Sequence, residues 1–256
     1  MNKIGFKRFL IGISYDGKNF FGFQEQKGQN VKTAEGVLKK YLKPLLFKKP
    51  SWVNLSRTDK GVSAKINYIV ANFKKNVSEE DIKKINNELK KEGVEIKIVE
   101  RVPLNFSLRG MTKYKEYRYF LKKEGDIWIF NGEKNLKKNF DELKIDLKKF
   151  EELKEIFKGE KNVINFSKYD PSKNYSYKTN FFEISLVDEE DKLIFIVKGD
   201  KFYWEEVRRL INVFVSYMSG FLKKEDLLKM FEKKQDAKPK AYPADNLVLW
   251  DVKFDL

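Results

Sequence analysis

The sequence predicts an α+β protein made of two ferredoxin-like, RRM-like α/β halves, their antiparallel sheets joined into one extended central sheet with helices on one side. Three observations carry that reading. Over residues 1–105 the apolar periodicity switches between the two-residue repeat of strands and the 3.6-residue repeat of helices in the order β-α-β-β-α-β, the split βαβ pattern. Residues 106–256 repeat the mixture less regularly. No Ser-, Gly- or Pro-rich linker separates the two stretches, so the domains 1–105 and 106–256 are divided by pattern alone.

The elements follow in order. Arg8 to Tyr15 places Phe9, Ile11, Ile13 and Tyr15 on one face and reads as a strand. Asp16-Gly17-Lys18-Asn19 is a turn, followed by the aromatic segment Phe20 to Gln24. From Val31 to Leu46, Val31, Ala34, Val37, Leu38, Tyr41, Leu42 and Leu45 recur at helical spacing. Strands at Ser51 to Leu55 and Ile66 to Phe73 flank a polar run. Ser78-Glu79-Glu80-Asp81 is a capping-box helix start with Ile82, Ile85 and Leu89 on the buried face, and Val94 to Arg101 is a strand.

In the second half, Tyr117 to Lys122 and Asp126 to Phe130 read as short strands, and Asp146 to Phe157 as a helix with Leu147, Phe150, Leu153 and Phe157 inward. Lys178 to Val187 and Lys192 to Lys198 form a hairpin around an acidic tip. Tyr203 to Leu222 is a long helix with Val207, Leu210, Ile211, Phe214, Val215 and Met218 inward; Glu225 to Glu232 is a shorter one, and Leu247 to Phe254 closes the chain as a strand. The runs Lys137-Lys138 and Lys233-Lys234 read as solvated faces.

Composition narrows the chemistry. Lys and Arg number 53 against 38 acidic residues, a formal charge of +15, which favours a polyanionic partner, nucleic acid ahead of an anionic membrane. Of the 22 Phe and 12 Tyr, part must fill core and part is available to stack on bases. There is no Cys and no His, which excludes disulfides, thiolate nucleophiles, Cys/His zinc sites and imidazole acid–base chemistry. Catalysis would run on Asp, Glu, Lys, Arg, Tyr, Ser or Thr. Met1 to Leu10 lacks an apolar signal core and no run approaches the roughly 18 apolar residues of a membrane span, so a soluble cytoplasmic protein with no membrane partner is expected. Arginine is confined to Arg8, Arg57, Arg101, Arg109, Arg118, Arg208 and Arg209. In so lysine-biased a chain, Arg57 and the Arg208-Arg209 pair point to places that need a planar, bidentate donor.

The chain is organised around Leu55-Ser56-Arg57-Thr58-Asp59-Lys60-Gly61-Val62-Ser63-Ala64, a polar loop between two strands. It presents a guanidinium and a carboxylate two residues apart at a sheet edge, where reactive groups commonly sit. Gly61 frees the loop for a conformation that a side chain forbids, and Thr58 and Asp59 can bond nearby amides. An isolated Asp in such a connection is more often only a turn-former; the rest of the chain decides between the readings.

Two further stretches line up with it: Phe106-Ser107-Leu108-Arg109 followed by Lys115-Glu116-Tyr117-Arg118-Tyr119, and Phe202-Tyr203-Trp204-Glu205-Glu206-Val207-Arg208. With Ser14-Tyr15-Asp16-Gly17, Phe21-Gly22-Phe23-Gln24 and Tyr242-Pro243-Ala244-Asp245-Asn246-Leu247-Val248-Leu249, the ordered set resembles the tRNA pseudouridine synthase A family over nearly the whole chain. The departures gather at histidine: Ser63 and Ser107 stand where the family has His, Glu205-Glu206 where it often has His and Met, and Ser56 and Asn246 replace glycines.

The resemblance implies an isomerase acting on uridines at positions 38 to 40 of the tRNA anticodon arm, as a homodimer, without cofactor or metal, its active-site cleft between the halves. It implies Asp59 as the catalytic carboxylate, attacking C1′ or removing the 2′ proton, with Arg208 holding it ionised. Tyr117 would stack on the uracil and Arg57 would fill the gap left by the flipped nucleotide. Lys60, Arg109 and Gln24 are expected RNA contacts. The alternative is a non-catalytic RNA-binding protein with ferredoxin-like sheets. A metal-dependent nuclease is disfavoured, because no carboxylate cluster at ligand spacing accompanies Asp59.

Overall fold

The computed structural model describes residues 5–26, 28–48, 51–232 and 236–255; the expected lysine face at Lys233-Lys234 lies outside them. In chain order the elements are β1 (Phe6–Tyr15), α1 (Ala34–Leu42), β2 (Trp52–Asn54), β3 (Ser63–Lys74), α2 (Glu79–Lys84), α3 (Asn86–Lys91), β4 (Val94–Val102), β5 (Thr112–Lys122), β6 (Asp126–Phe130), β7 (Asn135–Asn139), α4 (Lys148–Phe157), β8 (Gly159–Asn162), β9 (Lys178–Asp188), β10 (Lys192–Gly199), α5 (Glu206–Met218), α6 (Lys224–Glu232) and β11 (Leu247–Phe254). The fold is α+β. Contacts divide it into two compact units, Met1–Lys113 with Val248–Leu256, and Tyr114–Leu247. The break falls after Lys113 rather than near residue 105, and the closing segment from Val248 groups with the first unit, where β11 runs parallel beside Ser63 and Ala64 of β3.

In the first unit β1 lies between β3 and β4, antiparallel to both, and β2 pairs antiparallel with Ile69 to Ala71 on the other edge of β3. That is the ferredoxin-like strand order. Phe9, Ile11, Ile13 and Tyr15 are all buried, as their alternation requires. Helices α2 and α3 pack on β4, and α1 on α3 and β4. The capping box forms as read: the Ser78 hydroxyl accepts from the Asp81 amide at 3.2 Å and the Asp81 carboxylate accepts from the Ser78 amide at 2.9 Å. Helix α1 is shorter than the apolar spacing suggested. Thr33 caps it by accepting from the Gly36 amide, leaving Val31 outside, and the chain turns at Lys43-Pro44.

The second unit carries the run β5, α4, β9, β10, α5, with β10 between β5 and β9 and β8 added at the edge of β9, all antiparallel. A separate hairpin, β6–β7, is inserted between β5 and α4. Helix α5 is buried on nearly all sides and anchors a phenylalanine cluster in which Phe157 meets Phe166, Phe181, Phe214 and Phe231 at centroid distances of 5.1–5.7 Å.

Strands β7 and β8 are absent from the sequence reading because Asn-Leu-Lys-Lys-Asn and Gly-Glu-Lys-Asn carry no apolar alternation. Lys137 of the expected solvated run is indeed exposed, and bonds Asp126 across the hairpin. Leu147, expected inward, is 41% exposed: it precedes the first turn of α4, whose buried face is Phe150, Leu153 and Phe157. Helix α5 starts at Glu206 rather than Tyr203, because Glu205 takes a left-handed conformation (φ 61°) and breaks the helix there. Among the described residues no helix is long and apolar enough to cross a membrane.

Candidate active site

Of the residues singled out in the sequence, Gln24, Arg57, Asp59, Lys60 and Arg109 belong to the first unit, and Tyr117 and Arg208 to the second. The polar run is a loop, as expected, closing between β2 and β3. It is held from within by neutral groups. Thr58 is buried and shares a 2.8 Å hydrogen bond with the Tyr15 hydroxyl. Asn67 of β3, fully buried, donates to that hydroxyl at 3.3 Å and to the Ser56 carbonyl at 3.0 Å, and accepts from the Ser56 and Tyr68 amides. Burial pushes the Tyr15 hydroxyl up to about 12, so it remains a neutral hydrogen-bonding peg at any physiological pH.

With Thr58 turned in, its neighbours turn out: Arg57 and Lys60 are exposed and Asp59 is half-buried. The Asp59 carbonyl accepts from the Val62 amide at 3.1 Å, closing the turn through Gly61, whose φ of 86° is open to glycine. The aromatic segment is sewn to this loop. The Phe23 amide donates to the Thr58 carbonyl at 3.0 Å, and a Cβ on Gly22 would stand 3.1 Å from that same oxygen. Phe20 and Phe23 are buried, whereas Phe21 is exposed beneath the Lys60 ammonium, 3.9 Å from the ring centroid. Gln24 is exposed at the end of this segment.

Below the loop a second network fixes β2. Asn54 accepts from the Trp52 indole at 2.6 Å and donates to Glu35 at 3.1 Å, and Glu35 pairs with Lys39 at 2.8 Å. Burial works to raise the Glu35 carboxyl, but bonds from Lys39, the Glu25 amide and Asn54 outweigh it and hold it below the usual carboxylate range. Arg109 spends its fork on the Asn54 carbonyl, with Nε at 3.3 Å and Nη2 at 3.1 Å, so it braces the strand that leads into the loop. The serines that replace histidine make structural bonds: Ser63 accepts from the distant Gly17 amide, and Ser107 closes a local turn by accepting from the Gly110 amide.

In the second unit Tyr117 is a buried β5 residue meeting Phe202 edge-on, 5.2 Å between centroids. Arg208 sits in the first turn of α5, donates to the Tyr242 carbonyl at 2.9 Å and approaches Glu205 at 3.5 Å. Glu205 bonds chiefly with Arg209, at 2.6 and 3.1 Å. Glu206 points the other way. It is 1% exposed, accepts from the Tyr203 amide at 2.8 Å and the Thr179 hydroxyl at 3.2 Å, and burial pushes its carboxyl up to about 8. At neutral pH it is a protonated, structural acid, so it places no negative charge beside Arg208. Neither Asn67 nor Glu206 was marked out by the sequence as a support: an Asn within a strand and a Glu opening a helix both match ordinary surface positions.

Comparison with known proteins places the same residues in context. A family model described as tRNA pseudouridine synthase matches residues 154–255, a span that takes in Arg208 but neither Asp59 nor Tyr117. Proteins named tRNA pseudouridine synthase A match nearly end to end. The one from Thermococcus sibiricus is 32% identical over 256 residues, covering 97% of this chain and 85% of its own. That of Malacoplasma penetrans is 30% identical over 226 residues, covering 88% and 90%, and that of Pseudothermotoga lettingae 28% identical, covering 97% and 100%.

Proposed function

The chain belongs to the tRNA pseudouridine synthase A family, and from that premise we propose that it converts uridine to pseudouridine in the anticodon arm of tRNA, at positions 38 to 40, with Asp59 as the catalytic carboxylate. The enzyme is an isomerase acting on tRNA. The reaction breaks the C1′–N1 bond, turns the uracil over and joins C5 to C1′; C5 gives up its hydrogen and N1 gains one, so the composition is unchanged. A carboxylate suits the sugar end, whether it attacks C1′ or removes the 2′ proton.

The observation that supports this reading is the division of labour in the loop. Thr58 is locked inside by Tyr15 while Arg57 and Asp59 stand on either side of it, exposed and half-buried, on a backbone pinned at Ser56, Thr58 and Asp59. A reactive group needs that combination of fixed backbone and accessible side chain. We propose that Arg57 enters the gap left by the everted nucleotide, that Tyr117 stacks on the uracil, that Arg208 keeps the Asp59 carboxylate ionised, and that Lys60 and Gln24 contact RNA. Arg109 acts through Asn54 as a positioning residue. The enzyme is proposed to work in the cytoplasm as a homodimer, its net charge of +15 steering the polyanionic substrate.

Incubation with an unmodified tRNA transcript followed by pseudouridine mapping tests the proposal. Product at one or more of uridines 38 to 40 is expected. Product confined to another arm would overturn the assignment of the site, and tight binding with no product would favour a non-catalytic RNA-binding protein.

A further inference from the structure

Outside the candidate active site, the second unit exposes an aromatic surface that neither its core nor the proposed chemistry uses. The loop between Ser167 and Lys178 is rich in tyrosine and lysine, and it packs on the turn that precedes α5. Tyr169 is 45% exposed, Tyr175 48% and Trp204 48%. They surround a buried ring: Tyr177 meets Tyr169 and Tyr175 at 5.9 Å and Tyr203 at 5.0 Å, and Tyr175 meets Tyr203 at 5.4 Å. Lys168 lies over the Trp204 ring, 3.8 Å from its centroid, and its amide donates to the Trp204 carbonyl at 2.8 Å.

The backbone is bent to achieve this. Among the described residues, the non-glycine positions with positive φ are Tyr177 (48°) and Glu205 (61°). One lies at the centre of the cluster; the other immediately follows Trp204. An aromatic residue in the left-handed region is a true outlier, and such strain gathers where function requires it. The loop is also braced: the Asp170 amide donates to the Tyr177 hydroxyl at 2.9 Å, and Asp170 accepts from both the amide and the hydroxyl of Ser172. Rings held rigidly in water on a braced loop are a preorganised binding surface.

The rim identifies the occupant. Lys178 and Lys201 are engaged with Glu160 and Asp200, whereas Lys168 and Lys173 make no salt bridge among the described residues. Flat aromatic faces beside ammonium groups that no salt bridge holds match nucleobases and their phosphates, since every base has a π-face and every linkage a charge. A second copy of this chain would set the same lysines against each other. We propose that Tyr169, Tyr175, Tyr203 and Trp204 form a stacking platform for unpaired bases of the RNA substrate, with Lys168 and Lys173 taking the adjoining phosphates. This deepens the reading of the chain as a tRNA enzyme and rests on it for the identity of the RNA.

Three variants of the full-length protein test it: Tyr169→Ala/Tyr175→Ala, Tyr169→Phe/Tyr175→Phe, and Trp204→Phe. Each is checked for an unchanged thermal transition and measured for Kd and steady-state kinetics on a tRNA transcript. The alanine pair should weaken Kd and raise KM about tenfold, the scale of lost base stacking, while kcat moves less than about twofold. The phenylalanine pair should bind like the wild type, because stacking needs the ring and not the hydroxyl. Oligouridylate should quench indole fluorescence in the wild type and less so in Trp204→Phe. The proposal is overturned if the alanine pair binds normally, if the phenylalanine pair is as weak as the alanine pair, if quenching is unchanged, or if only the oligomeric state shifts, which would make the surface a subunit contact. The binding arms need no turnover, so a wild type that binds RNA through these rings yet makes no pseudouridine would sink the proposed reaction and leave the platform standing.

Discussion

In the loop around Asp59 the buried groups are neutral, and Thr58, Tyr15 and Asn67 satisfy one another while the ionic side chains Arg57 and Lys60 stay in water. At the start of α5 the buried group is an acid, Glu206, and the neighbouring charges Glu205, Arg208 and Arg209 bond with each other and with backbone carbonyls. The first arrangement leaves the Arg57 and Lys60 charges exposed on a backbone pinned by hydrogen bonds at Ser56, Thr58 and Asp59. The second ties Glu205 chiefly to Arg209 at the helix start, and lets a carboxyl go protonated rather than leave an ion in the core. The position of a carboxylate relative to the surface therefore separates the proposed role of Asp59 from the structural one of Glu206.

The sharpest way to break this contrast is to neutralise each acid in turn. Asp59→Asn should lower turnover by at least about a thousandfold while tRNA affinity stays within a few-fold, read by single-turnover kinetics beside a filter-binding Kd. A large loss of affinity with intact fold would make Asp59 a binding residue. Glu206→Gln should leave the chemistry in place and change the pH dependence of stability. The unfolded chain gives up that proton near 4.5, whereas the folded protein keeps it to about 8. Between those values each rise in pH therefore favours unfolding, on the order of 1 kcal/mol per pH unit. Melting temperatures at pH 5 and pH 8.5 check this: the variant should gain on the wild type as pH rises, and parallel curves would show that Glu206 is ionised in the fold.

A smaller effect probes the peg. Thr58→Val leaves the Tyr15 hydroxyl short of a partner and should destabilise the protein by about 1–3 kcal/mol in a urea titration, with a loss in kcat that exceeds any rise in KM. Arg57→Ala, exposed and outside the hydrogen-bonded frame, should leave the urea midpoint unchanged and reduce kcat more than affinity. Arg109→Lys should have the mildest consequence, a modest fall in activity from a less firmly held Asn54 carbonyl.

Much of this fold was legible because its elements bury one face. The alternation of Phe9, Ile11, Ile13 and Tyr15, the Ser78–Asp81 box and the hairpin around the acidic tip all form where the pattern placed them. Where the residues are polar on both faces, as in β7 and β8, periodicity has nothing to report and hydrogen bonding to a neighbour decides. Helix ends were misplaced where a single backbone angle intervened, as at Glu205. The Asp59 loop itself could be read from its polar run between apolar strands and from its motif. What lay beyond reach was the support: Asn67 using both ends of its amide, Arg109 turned onto a carbonyl, and Glu206 buried as a neutral acid. Each depends on residues distant in the chain, and none leaves a local signature.

In the proposed reaction the Asp59 carboxylate drives the exchange of C1′–N1 for C1′–C5, a step that frees the hydrogen at C5. Release of tritium from tRNA labelled at uridine C5 measures it directly. Wild-type protein should release label in proportion to pseudouridine formed, and Asp59→Asn, bound to the same tRNA at saturating concentration, should release none above background; release by that variant at the wild-type rate would contradict the assignment.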